Sequence, residues 1–158
     1  MRFRVTFMLH IALWEPEIPP NTGNIARLCA ATGADLHLIG RLGFRLDERS
    51  LRRAGLDYWP QIEVHRHAEM ADFEKALNDS RILCFSAHAP KRYTDISFRD
   101  GDCLMFGGES RGLPQSVRRK YAGFIHGIPM PAGKTRSLNL ATAVGIVLYE
   151  ALRQLNDW

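Results

Sequence analysis

Short apolar runs bounded by turn residues alternate along the chain with stretches in which apolar positions return every three or four residues. The runs predict strands over 10–14, 36–39, 62–65, 81–86, 103–106 and 124–128. The periodic stretches predict helices over 22–32, 47–54, 70–78 and 115–121, and a last one from about 138 to 155. Such alternation is the signature of an α/β domain, a mostly parallel sheet with helices on both faces. In the last helix Leu140, Val144, Val147, Leu148, Ala151 and Leu155 recur at helical steps, so one side is a core or interface stripe. In the first helix Asn21 or Thr22 can cap the start after Pro19-Pro20, and Gly33 suits the left-handed residue that ends it. There Ile25, Leu28, Cys29 and Thr32 share a side, which leaves Asn24 and Arg27 together on an exposed face.

Composition narrows the class. A chain of 158 residues with 46% hydrophobic content predicts one domain over 1–158, and no repeat, low-complexity segment or linker divides it. The 21 Lys+Arg against 17 Asp+Glu give a net charge of +4, spread along the chain, which permits a polyanionic partner without requiring one. Cys29, Cys84 and Cys103 are widely spaced with no CxxC, and read as reduced, buried thiols of a cytoplasmic protein. The opening MRFRVTFMLHIALW imitates a signal peptide, but His10 interrupts it, Glu15-Pro16 follows, and no small-x-small site appears. No run of about 18 uncharged apolar residues exists, so no membrane span is expected.

Three segments carry candidate chemistry. EPEIPPNTGNIARLCAATG, residues 15–33, follows a strand and opens a helix, where α/β proteins bind anionic groups; Asn21, Asn24 and Arg27 could meet a phosphate or ribose there. In LMFGGESRGLP, residues 104–114, Gly107 and Gly108 permit close approach of backbone to a ligand, Gly112 and Pro114 force a bend, and Glu109 and Arg111 project from the loop. In IPMPAGKTRSLNLATAVG, residues 128–145, Ser137 and Asn139 stand at the mouth of the last helix. Gly133-Lys134-Thr135 is not a P-loop, because Ile128 stands where that motif needs its first Gly. His65 and His67 alternate on a strand, but without further ligands they read as a surface pair, and no metal is expected.

Together these segments resemble, in order, the signature motifs of SPOUT-type RNA ribose 2′-O-methyltransferases: NTGNIAR, FGxExRGLP, and IPM…SLNL. Through EPEIPPNTGNIARLCAATG and LRRAGLDYW (51–59), the chain is similar to the minimal subgroup acting on the tRNA wobble ribose. The resemblance begins near Met8, which makes residues 1–7 a possible extension, and it departs from the pattern at Gly108 and in the 131–136 loop. It implies a C-terminal deep trefoil knot, and a homodimer with the first and last helices near the interface, so that the site draws on both chains. It also implies S-adenosylmethionine as cofactor, leaving as S-adenosylhomocysteine, and tRNA as partner. The backbone around Gly107, Ile128 and Met130, with Leu138, would hold the adenosine, with Phe85 as a wall. Glu109 would shape the loop, while Ser137 and Asn139 would hold the methionine end or the incoming ribose. Arg27, ordered by Asn21 and Asn24, is the implied activator of the hydroxyl. A guanidinium is almost never deprotonated, so its role would be to bind the target phosphate and stabilise the forming alkoxide. RNA contacts would come from Arg49, Arg52 and Arg53, with Arg41 and Arg45 before them. Two other readings remain: a related methyltransferase for another tRNA or rRNA nucleotide, and a catalytically silent RNA-binding module.

Overall fold

The computed structural model describes residues 7–53 and 59–158. Residues 1–6 of the possible extension, Ala54 at the end of the second expected helix, and the middle of LRRAGLDYW lie outside the described residues.

Seven strands form one sheet: β1 (His10–Trp14), β2 (Asp35–Ile39), β3 (Val64–His67), β4 (Ile82–Phe85), β5 (Lys91–Arg92), β6 (Cys103–Gly107) and β7 (Ile125–Gly127). Their order is β3-β2-β1-β6-β4-β7-β5, and every pairing is parallel. The helices are α1 (Pro19–Thr32), α2 (Glu48–Arg53), α3 (Met70–Ala76), α4 (Gln115–Lys120) and α5 (Leu140–Asn156). β5 was not expected, because two exposed basic residues leave no apolar signal. β3 begins two residues later than expected, because Ile62 is drawn into the 3-10 turn over Trp59–Gln61, its amide bonded to the Trp59 carbonyl, and from there packs on the core.

Both faces of the central sheet are covered, which is why β4 and β6, and most of β1 and β2, are apolar at successive positions. On one face α1 and α5 bury Ile25, Cys29, Val144, Val147, Leu148 and Ala151 against Ile11, Leu13, Leu36, Leu38, Leu104 and Phe106. On the other, Phe73 from α3, Leu77 just past its end and Val117 from α4 cover Ala12, Ile39, Cys84, Cys103 and Met105. Each large side chain so buried stabilises the fold by about 1.5–3 kcal/mol. The α5 stripe thus packs largely within the chain, while Tyr149 on α5 and Trp158 just beyond it are exposed. All three cysteines are buried and unpaired, and burial pushes the Cys29 and Cys84 thiols up to about 12. No helix among the described residues is long and apolar enough to cross a membrane.

The ends of α1 and α5 matter for the site. Gly33 closes α1 with φ 78° and donates its amide to the Cys29 carbonyl at 2.8 Å. At the other end, the expected cap is wrong. Pro19 and Pro20 occupy the first turn, where amides have no intrahelical partner, so the cap position falls on Ile18, which has no polar side chain. Asn21 and Thr22 lie inside the helix and are buried. α5 starts at Leu140, two residues later than expected, because the Asn139 side chain accepts the Thr142 amide and fixes the first turn there.

Candidate active site

The carboxyl ends of β4, β6 and β7 face the starts of α1 and α5, and the three motif segments meet there. Gly107 ends β6, and the chain folds straight back on itself through a bridge between Gly108 and Gly112, the latter at φ 66°. A Cβ on Gly107 would lie 2.0 Å from the Gly112 carbonyl carbon and 2.2 Å from the Leu113 nitrogen. A Cβ on Gly108 would lie 2.6 Å from the Glu15 oxygen. The two glycines thus admit the chain's own backbone, and both also line the cleft that the three segments enclose.

The loop places the Glu109 carboxylate against the start of α1. Oε2 accepts the Glu17 amide at 2.7 Å, and Oε1 accepts the Ile18 amide at 3.0 Å and the Asn21 side-chain amide at 3.2 Å. Glu109 therefore supplies, from a distant loop, the cap that α1 does not find in its own sequence, and its negative charge suits the positive end of the helix. Beside it, the Ser110 hydroxyl and amide donate to the Glu17 carboxylate, and these bonds hold that carboxyl below its ordinary value. Asn21 Oδ1 in turn accepts Asn139 Nδ2 at 2.9 Å. One polar chain, Glu109–Asn21–Asn139, sews the three segments together.

These segments enclose a cleft of about 560 Å³, within the range of small-molecule sites. Phe85, Gly107, Glu109, Ile128, Met130, Ser137 and Leu138 all line it, as do Asn21 and Asn139. Phe85 stacks on Phe106, ring centroids 4.9 Å apart, and gives the cleft an apolar floor. Ser86, Arg118 and Arg136 also line it and were not foreseen. Arg118 donates to Ser86 Oγ at 2.6 Å, yet in sequence it reads as one of three cations ending an exposed helix, and nothing local marks it. Arg136 directly precedes Ser137, and its charge beside that motif was the available signal. An apolar floor with amide, hydroxyl and guanidinium groups in the same lining suits a heteroaromatic base joined to a charged amino-acid end.

Other expected site residues lie elsewhere. Asn24 and Arg27 are exposed on α1 and do not line the cleft. Arg49, Arg52 and Arg53 are exposed on α2, and Arg45 is exposed just before it. Arg41 lines an adjoining groove of about 500 Å³ with Glu15, Glu17 and Arg111, and the groove shares Gly108, Ser110, Arg111 and Gly112 with the cleft. His65 and His67 are not a surface pair: His67 is buried, and both pack against His37 of β2, which the spacing within β3 alone cannot reveal.

Known proteins resemble this chain in sequence and in fold. The model of the SpoU rRNA methylase family matches residues 8–149. The tRNA (cytidine(34)-2′-O)-methyltransferase of Escherichia coli (strain K12) is 49% identical over 149 residues, covering 94% of each chain. A solved structure from work on the 2-OH methylation of C/U34 on tRNA is 51% identical, with a TM-score of 0.88 over 96% of this chain and 99% of that one. The SpoU methyltransferase AviRb from Streptomyces viridochromogenes, in complex with the cofactor AdoMet, is 25% identical with a TM-score of 0.84, over 99% of this chain and 63% of that one.

Proposed function

The chain belongs to the SpoU rRNA methylase family, and from that premise we propose that it methylates the ribose 2′-hydroxyl of the wobble nucleotide, cytidine or modified uridine, in tRNA, using S-adenosylmethionine. The observation that carries this reading is the polar chain Glu109–Asn21–Asn139, which draws the three motif segments around one cleft. Relatives that cover nearly the whole chain at close to half identity carry that activity in their names.

The cofactor supplies a methyl group already activated on a sulfonium, so the protein's tasks are alignment, exclusion of water and relief of developing charge. The backbone of Gly107, Ile128 and Met130, with Leu138, holds the adenosine against the wall formed by Phe85. Arg118 and Arg136 attract the carboxylate of the methionine end, and Ser137 at the rim holds that end or the incoming ribose. Asn139 caps α5 and donates to Asn21, so one of its amide hydrogens is left for a bound ligand. No residue here needs a metal for this reaction.

Arg27 binds the target phosphate and stabilises the forming alkoxide, while the proton leaves to phosphate or water. Because it lies outside the cleft of its own chain, it serves the cleft of the partner in a homodimer joined near α1 and α5. Asn24 shares its exposed face. Arg41, Arg45, Arg49, Arg52 and Arg53 contact tRNA phosphates. The C-terminal part is threaded as a trefoil knot; in support, β7 comes late in the chain yet is inserted between β4 and β5. The protein works in the cytoplasm, with tRNA.

Mapping 2′-O-methyl groups in tRNA from a strain lacking the protein tests this reading. Loss at the wobble position, restored by the purified chain with S-adenosylmethionine, is the expected result. Loss at another nucleotide would move the chain to a different RNA target, and no loss would return it to a silent binding module.

A further inference from the structure

At the amino ends of β1 and β2, away from the cleft, five polar side chains crowd one face of the sheet. The parallel register sets His10 beside Asp35 and His37 beside His65. Strand alternation then turns His10, Asp35, His37, His65 and His67 to the side where Ala12 and Ile39 meet Phe73. His10 Nδ1 and His37 Nε2 are 3.1 Å apart, and His37 Nδ1 and His67 Nε2 are 3.0 Å apart. Asp35 Oδ2 stands 3.8 Å from His10 Nδ1 and 3.7 Å from His65 Nε2.

We propose that His10, Asp35 and His37 form a binding site for a divalent transition metal of the zinc type, with water completing the coordination. One donor atom from each of the three lies within 4.8 Å of the other two. In a tetrahedral site with bonds of about 2.0–2.1 Å, ligand atoms stand about 3.3 Å apart, so the imidazole pair is already at ligand spacing and the carboxylate has to close by about half an ångström toward His10. The donor set, two imidazoles and a carboxylate, is one that zinc accepts.

Two further features favour a metal over a mere hydrogen-bonded cluster. When His37 presents Nε2 to the ion, its proton must sit on Nδ1, where it donates to His67 Nε2, the outer hydrogen bond that orients most metal-bound histidines. The His10 and Asp35 side chains keep 15% and 19% of their surface exposed, which gives an ion an entry path. The site would pin β1 to β2 and is independent of the methyl-transfer reading.

The test uses the full chain without a histidine tag, stripped of metal, titrated with zinc chloride against a chromogenic chelator and separately with cobalt(II). One equivalent of zinc bound at about 1 μM or tighter, and a tetrahedral cobalt spectrum in the visible, are expected. His10→Ala and Asp35→Asn should each weaken zinc at least about tenfold, and His67→Ala about tenfold through the lost orientation. Zinc should raise the melting temperature of the parent and not of the first two variants, whose metal-free melting curves show whether they are folded. Binding of well under one equivalent, or unchanged affinity in folded His10→Ala and Asp35→Asn, overturns the proposal.

Discussion

Glu109 and Asn21, 88 residues apart in the chain, meet at 3.2 Å, and the carboxylate that binds the Asn21 amide also closes the start of α1. Fold and site therefore share one group. Replacing Glu109 by Gln keeps the shape but turns one acceptor into a donor that faces amide N–H groups. Stability should fall by about 1–3 kcal/mol, the scale for leaving such groups unpaired. Cofactor affinity should fall with it, by roughly tenfold, the equivalent of about 1.4 kcal/mol. Chemical denaturation and calorimetry read the two effects, and an unchanged denaturation midpoint would contradict the capping role.

Gly107→Ala drives a Cβ into the backbone of Gly112 and Leu113, which has no flexible end to yield. We expect a loss of about 3 kcal/mol or more and no measurable cofactor binding, since the loop must open. Gly123→Ala is the control: a Cβ there meets nothing within 4 Å, and its denaturation midpoint should match the parent.

Arg27→Ala should cost about 1 kcal/mol or less in stability, as for other exposed positions, and leave cofactor binding intact. Single-turnover methylation should fall by about two to three orders of magnitude, with Arg27→Lys recovering only part of it. Mixing Arg27→Ala chains with Asn139→Ala chains should restore turnover, because a mixed dimer pairs an intact cleft with an intact Arg27. Failure of the mixture to regain activity would place Arg27 in its own chain's reaction.

Removing Arg52 and Arg53 together should weaken tRNA binding and flatten its dependence on salt, each lost phosphate contact reducing the slope by about 0.7–0.9. Calorimetry should find the same cofactor affinity as in the parent. A salt slope identical to the parent's would make these two residues an ordinary solvated helix end.

His126, buried on β7, is held below its ordinary pKa chiefly by that burial, with Lys91 and Arg81 adding to the effect. The unfolded chain therefore takes up this proton first as the pH falls below about 6.5. The histidine's contribution to stability is complete above that value and erodes below it, by at most about 1.4 kcal/mol per pH unit. Denaturation of His126→Gln at several pH values should show a shallower loss between pH 6.5 and 5 than the parent; parallel curves would refute the assignment.

The sequence by itself determined most of the elements, all but the short β5, and which segments border the cleft. Parallel strands buried on both faces must be apolar at successive positions, and α5 must carry one apolar side, so both patterns are written locally. Gly107, Gly112, Pro114 and Asn139 mark sharp turns or helix starts, so the three segments that meet at the cleft are legible from residue type and spacing. Tertiary structure alone decided what those residues touch. The cap of α1 comes from Glu109 rather than from Asn21, Arg118 reaches the cleft from a helix that reads as solvated, and Arg27 stands outside the cleft. His65 and His67 looked like an isolated pair because His10, Asp35 and His37 join them only through the β1–β2–β3 register. Spacing along a chain records which side chains share a face of one element, while the neighbours of that face are set by which strands pair, a choice made by the packing of the whole core.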